Sequence, residues 1–171
     1  AWLDLGGVWV QANIRGGGEY GPAWHDAARG REKVNSMKDL LAVSKWLIDN
    51  KYTTDKRLGV IGVDLGALAA ASVMLQEQGL FSTVIGISGM YDVLRAEAMV
   101  SGPASIPYVS ELGSVSLRKE CAAMLEYAPM LFKARVAPPP TLLMVGMRDD
   151  VINPAHTYKM AAQLQQLTKK A

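Results

Sequence analysis

The 171 residues are 50% hydrophobic and 20% charged, a globular composition with enough apolar material for one core. A formal net charge of +2, scattered evenly, excludes a nucleic-acid surface, and no apolar run reaches the roughly 18 residues of a membrane span. The single cysteine, Cys121, excludes an internal disulfide and fits a reducing intracellular compartment, the cytoplasm or an organelle such as the mitochondrion.

The start, AWLDLGGVWV, lacks the basic n-region of a signal peptide. Gly7 to Asn13, GVWVQAN, is expected to be a buried strand. Ile14 to Gly21, IRGGGEYG, follows as a tight glycine-rich reversal in which Arg15 and Glu19 pair. It lacks the G-x-G-x-x-G spacing and an immediate helix, so phosphate binding is set aside. Trp24 to Arg29 is expected to form a short helix.

Ser36 reads as an N-cap with Asp39 as the acidic partner of a capping box. The following helix, Met37 to Asn50, places Leu40, Leu41, Val43, Trp46, Leu47 and Ile48 on one stripe. Arg57 to Ile61 and Thr83 to Ser88 are apolar runs without alternation, as is Thr141 to Gly146. Such strands are buried on both faces of a parallel sheet. Helices are expected over Gly66 to Gln78, stopped by Gly79, then over Leu117 to Glu126 and Ala155 to Leu167. Cys121 falls in the second of these and reads as a packing residue. Met99 to Gly113 reads as an irregular excursion. Strand and helix alternate through one domain, a mostly parallel three-layer α/β/α sandwich.

The decisive stretch is Gly62-Val63-Asp64-Leu65-Gly66, between a strand and an Ala-rich helix. Strand, glycine-flanked turn and helix are the context of an α/β-hydrolase nucleophile elbow, where backbones pass too close for a Cβ. The apex should be serine, and it is Asp64. A carboxylate there gains from the dipole and free N–H groups of the following helix, a structural role. Asp149 and Asp150 read likewise as a solvated loop pair capping the helix near Asn153. A metal site from Asp64, Asp149 and Asp150 has no spacing signature, so neither metal nor cofactor is expected.

The chain resembles the catalytic α/β-hydrolase domain of the prolyl oligopeptidase family. The likeness rests on ANIRGGGEYGPAWH (Ala12 to His25), the run from Asn35 to Gly62, the elbow, and LFSTVIGISGMYDVLR (Leu80 to Arg95). It continues through ELG (Glu111 to Gly113), EYAP (Glu126 to Pro129) and PPTLLMVGMRDDVINPAHTYKMAAQLQ (Pro139 to Gln165). The resemblance implies that the nucleophile position falls on Asp64, the elbow's last glycine on Ala67 and the oxyanion-binding backbone N–H on Leu65. It further implies a charge-relay position at Asp149 and a substrate-gripping arginine position occupied by Val151. The family's catalytic histidine lies well beyond the aspartate, whereas only 22 residues follow Asp149, none of them such a histidine. His25 and His156 match family positions that are not catalytic and read as packing residues. The family's first strands, oxyanion tyrosine and propeller are expected to lie outside these residues.

Three functions follow from different classes. The leading expectation is a catalytically inactive relative, a structural or interaction subunit whose exposed sheet edges are covered by other protein subunits. The alternative is an active serine-type oligopeptidase of which these residues are a portion. The third is an Asp-nucleophile hydrolase that needs a histidine from elsewhere.

Overall fold

The computed structural model describes residues 2–99 and 105–170. In chain order it forms α1 (Pro22–Asp26), α2 (Val34–Asp49), β1 (Gly59–Val63), α3 (Leu65–Gln76), β2 (Thr83–Ile87), α4 (Ala96–Met99), α5 (Ser105–Leu112), α6 (Arg118–Leu125), β3 (Thr141–Met144) and α7 (Ala155–Lys170). The strands form one parallel sheet in the order β1-β2-β3. This is the α/β arrangement expected from alternating apolar runs and helical stripes.

The sheet is built around α3. Every residue from Ala67 to Leu75 is buried, so this helix has no solvated face and lies at the centre of the core. It packs on β1 and β2, with α2 against its outer side. Ser72, fully buried, satisfies its hydroxyl on the Leu68 carbonyl at 2.8 Å and lies 2.6 Å from the Tyr127 carbonyl. The strand residues on this face are small or apolar: Gly62, Val84 and Gly86 are buried, with Gly62 backed by α3 and Gly86 by the Tyr91 ring and Leu143.

Burial on both faces holds only in part. Register aligns Ile61 with Ile85 and Leu142, and Val63 with Ile87 and Met144. Ile61, Val63, Leu142 and Met144 are exposed. The period of two puts these six on the face opposite α3, an apolar ladder that the described residues leave open.

Gly7 to Asn13 is not a strand: the stretch is irregular, and Val8, Trp9 and Val10 are exposed. β-Propensity needs a ladder partner to take the backbone N–H and C=O groups, and among the described residues no strand pairs with this segment. Ser36 is not an N-cap either. A 3-10 turn at Gly30–Glu32 runs almost directly into α2, whose N-cap residue Lys33 is already helical. Ser36 donates to the Arg15 carbonyl at 2.7 Å.

Asp39 has a stronger partner than a capping N–H. It takes Arg15 Nη2 at 2.5 Å, Nε at 2.8 Å and the Arg15 backbone N–H at 2.9 Å. This bidentate pair replaces the expected Arg15–Glu19 contact, because a planar guanidinium matches a carboxylate fork. The excursion from Met99 to Gly113 contains a real helix, α5; residues 100–104 lie outside the described residues. Cys121 is half-buried on α6.

Candidate active site at the elbow and the acid loop

β1 delivers the chain into a sharp turn at Asp64. Its φ of 54° and ψ of −119° lie where L-residues rarely go, a strain held by surrounding structure. The Asp64 N–H donates to the Ile87 carbonyl at 3.0 Å, extending the β1–β2 ladder to the turn's apex. Its carbonyl takes the Ala67 and Leu68 N–H groups at 3.1 and 3.2 Å, which starts α3. A Cβ on Gly62 would run into the Gly66 carbonyl and the Ala67 nitrogen, so glycine is obligatory there. Gly66 opens to free space, and the expected steric need does not extend to it.

The Asp64 carboxylate makes no capping bond to the N–H of the second or third residue of α3. Burial raises its pKa, and the nearby Asp149 adds to that rise. The Leu65 N–H, the Lys33 ammonium and the Tyr108 hydroxyl act in the opposite sense. Desolvation therefore outweighs the helix-terminus attraction expected from sequence. One carboxylate oxygen, Oδ1, is buried without a hydrogen-bond partner. Tyr108 feels the same environment: burial and the two carboxylates push its hydroxyl up to about 12.

Asp149 lies in the loop after β3. Its Oδ1 accepts the Ile152 N–H at 2.9 Å and the Val151 N–H at 3.0 Å. The Ile152 N–H, the Ser88 hydroxyl and the Val151 N–H together hold its carboxyl below the usual carboxylate range. Ser88, at the end of β2, itself has a positive φ of 44°. Helix capping falls to Asn153, whose Oδ1 takes the Ala155 N–H at 2.9 Å. Asp150 and Val151 are exposed. The structure thus brings Asp64, Leu65 and Asp149 to one end of the sheet, at the carboxyl ends of the strands where open α/β sheets bind ligands. Among the described residues no group of three His, Cys, Asp or Glu side chains suits a metal.

Neither histidine joins them. His25 Nε2 lies 2.5 Å from Glu111 Oε1. His156 is fully buried, its Nδ1 accepting the Asp92 N–H at 3.1 Å, and burial lowers its pKa to about 4. Neutral and enclosed, it packs beside Asp92, which is itself paired with Lys159 and Arg95.

Three residues around the elbow escape a reading by sequence. Lys33 is buried, with its ammonium 3.4 Å from Glu111 Oε2; burial lowers its pKa while Glu111 and Asp64 restore part of it. Tyr108 and Glu111 arrive on α5, which the sequence presents as a loop. A Tyr-x-x-Glu spacing across a helical turn is the signal that was available.

Comparison with known proteins gives a consistent picture. The sequence model of the prolyl oligopeptidase family matches residues 1–171. A prolyl endopeptidase of Dictyostelium discoideum is 35% identical over 167 residues, covering 96% of this chain and 22% of that protein. A dual-function macrocyclase-peptidase of Amanita bisporigera is 32% identical, covering 94% of this chain and 22% of its own length. A solved prolyl endopeptidase superposes with a TM-score of 0.84 at 32% identity, over 90% of this chain and 22% of that one. Prolyl oligopeptidase B of Galerina marginata, solved bound to a macrocyclisation substrate, gives 0.83 at 28% identity over the same shares. The chain therefore spans about a fifth of the length of the curated relatives it matches. Among the described residues no helix is long and apolar enough to cross a membrane.

Proposed function

The chain belongs to the prolyl oligopeptidase family, and from that premise we propose that it is the elbow-and-acid-loop portion of an oligopeptide-hydrolase catalytic domain in which Asp64 removes the serine route. The observation that carries this reading is the apex itself. The strained turn, obligatory Gly62 and ladder bond to Ile87 are all in place, yet the side chain they present is a carboxylate. Acyl transfer by the family's route needs a hydroxyl that a histidine can deprotonate. Asp64 supplies no such hydroxyl, and its carboxylate hydrogen-bonds the Leu65 N–H, the position that would hold an oxyanion.

The span of about a fifth of the relatives favours the view that these residues are part of a longer oligopeptidase-type protein. Loss of a triad member costs on the order of 10⁴ to 10⁶ in kcat, about 5 to 8 kcal/mol of transition-state stabilisation. The protein then retains a peptide-binding frame, and the open apolar ladder of the sheet is where further protein subunits or segments pack. A second reading, ester formation on Asp64 as in carboxylate-nucleophile hydrolases, is favoured by its half-buried carboxylate with one unpartnered oxygen. It needs a water-activating base, and His25 and His156 are both engaged elsewhere.

The test is hydrolysis of prolyl and basic peptide substrates by the protein carrying this chain. Rates at background, unchanged in Asp64→Asn, are expected. Turnover that disappears in Asp64→Asn overturns the loss of catalysis.

A further inference from the structure

The loop that carries Asp149 runs in the open and is fixed at its far end. Met147 is 87% exposed and Val151 54%, with Arg148 and Asp150 exposed beside them. Ile152 and His156, by contrast, are buried in the core. Between these two, Asn153 closes the loop onto α7: its Oδ1 takes the Ala155 N–H at 2.9 Å and its carbonyl takes the His156 N–H at 3.0 Å. Asp149 is tied into the same turn, because its Oδ1 accepts the Ile152 N–H at 2.9 Å and the Val151 N–H at 3.0 Å. The path from the Asp149 carboxylate to His156 is therefore unbroken, through Ile152, Asn153 and the first turn of α7.

His156 in turn holds the segment that follows β2. Met90 and Tyr91 are fully buried there and Asp92 and Val93 nearly so, which makes this stretch a rigid, close-packed support. His156 and Lys159, three residues apart on α7, share a helical face and grip it together. His156 Nδ1 accepts the Asp92 N–H at 3.1 Å. Lys159 Nζ pairs with the Asp92 carboxylate, which also takes Arg95 Nη1 at 3.2 Å.

Volume alone does not account for an imidazole at this place. With Nδ1 accepting, the ring proton sits on Nε2, which is buried and has no hydrogen-bond partner among the described residues. A leucine would fill similar space without that orphaned donor. What leucine would not do is receive the Asp92 N–H, a buried backbone donor that needs a partner. The bond from Asp92 is thus the one service the ring performs, and it joins the rigid segment to the helix on which the loop ends.

We propose that His156 is a positioning residue for Asp149: by taking the Asp92 N–H it fixes the first turn of α7, and with it the loop whose backbone N–H groups hold the Asp149 carboxylate at the end of the sheet. This rests on the reading of the loop after β3 as the acid loop of the site. A shift of α7 would carry Asn153 and Ile152 with it and displace the donors that Asp149 uses.

The experiment is hydrogen–deuterium exchange in the protein carrying this chain, read by mass spectrometry in peptides spanning Met147 to Asn153 and, as a gauge of global stability, α3. His156→Leu keeps the volume and removes the acceptor. It is expected to speed exchange in the loop about three- to tenfold, the size of one lost hydrogen bond, with α3 unchanged. His156→Asn places Oδ1 where Nδ1 stands and is expected to keep the loop at its natural rate. His156→Gln, whose oxygen falls near the Nε2 place instead, is expected to behave as His156→Leu does, and it gives the same reading should the leucine variant not fold. Loop exchange unmoved in both His156→Leu and His156→Gln overturns the proposal. Equal acceleration in the loop and in α3 also overturns it, since that marks a merely structural residue. So does a His156→Asn variant as fast as His156→Leu, because the acceptor would then not matter. None of these readouts involves turnover, so peptide hydrolysis that disappears in Asp64→Asn would overturn the reading of the apex and leave the positioning of Asp149 standing.

Discussion

Asp64 and Asp149 stand at the carboxyl ends of β1 and β3, in one parallel sheet, and the fold treats them in opposite ways. Asp149 sits in a loop that offers it donors: two backbone N–H groups and the Ser88 hydroxyl keep it ionised. Asp64 sits on a strained apex with a buried, unpartnered oxygen, and burial drives it toward its neutral form. Two carboxylates whose surroundings push their pKa values apart would assign acid and base roles in a working site. On the proposed reading, the acid loop keeps the ionised form that a charge-relay aspartate needs, while the apex keeps the backbone of an elbow and presents a carboxylate. Backbone geometry and side-chain chemistry are separable: the strained turn is kept, and the side chain at its apex is a carboxylate.

Four substitutions act on the two carboxylate sites separately. Gly62→Ala strikes the elbow backbone alone. Its Cβ meets backbone atoms of Gly66 and Ala67 that cannot step aside, so a loss of about 3 kcal/mol or more is expected in urea unfolding. Asp149→Ala removes an acceptor from the Val151 and Ile152 N–H groups. The expected loss is about 1 kcal/mol at neutral pH, because water reaches part of this loop. Since its folded pKa lies below the unfolded value, that stabilisation is present above the ordinary carboxylate range and fades as pH falls through the folded value. The variant's deficit should shrink accordingly in acid.

Asp64→Asn has the opposite pH signature. A folded pKa raised above the unfolded one means that the native state binds the extra proton, so stability falls as pH rises through that window. Replacing the carboxylate should remove this decline, leaving the variant no less stable than the natural chain at neutral pH, as measured by chemical denaturation at several pH values. Val151→Arg, finally, restores the family's arginine at a position 54% exposed and should change stability by less than about 0.5 kcal/mol. A larger effect would mean that this loop is packed against something.

Much of this was legible in the residues. The three apolar runs became β1, β2 and β3, and the Ala-rich stretch became the central helix, because continuous β-prone apolar runs mark strands even where one face of the sheet is left open by the described residues. The elbow was legible from glycine spacing, and Gly62 meets its steric reason. What failed depended on distant partners. GVWVQAN carries strand propensity, but no ladder among the described residues receives it. Ser36 and Asp39 formed a plausible local cap, yet Arg15, 24 residues away, claims the aspartate. The helix dipole suggested a comfortable Asp64, whereas the balance was set by desolvation and by Tyr108, Lys33 and Asp149 from three other segments. Burial of this kind is a property of packing, and no local pattern announces it.

On the proposed reading, the elbow is intact in shape and its apex forms no covalent acyl intermediate. The most direct test is mass spectrometry of the peptide spanning Gly62 to Gly66 after treating the protein with a fluorophosphonate and, separately, with an excess of prolyl peptide ester. This peptide is expected to keep its unmodified mass in both cases. A covalent adduct on Asp64, formed on the timescale of turnover and absent in Asp64→Asn, would contradict it.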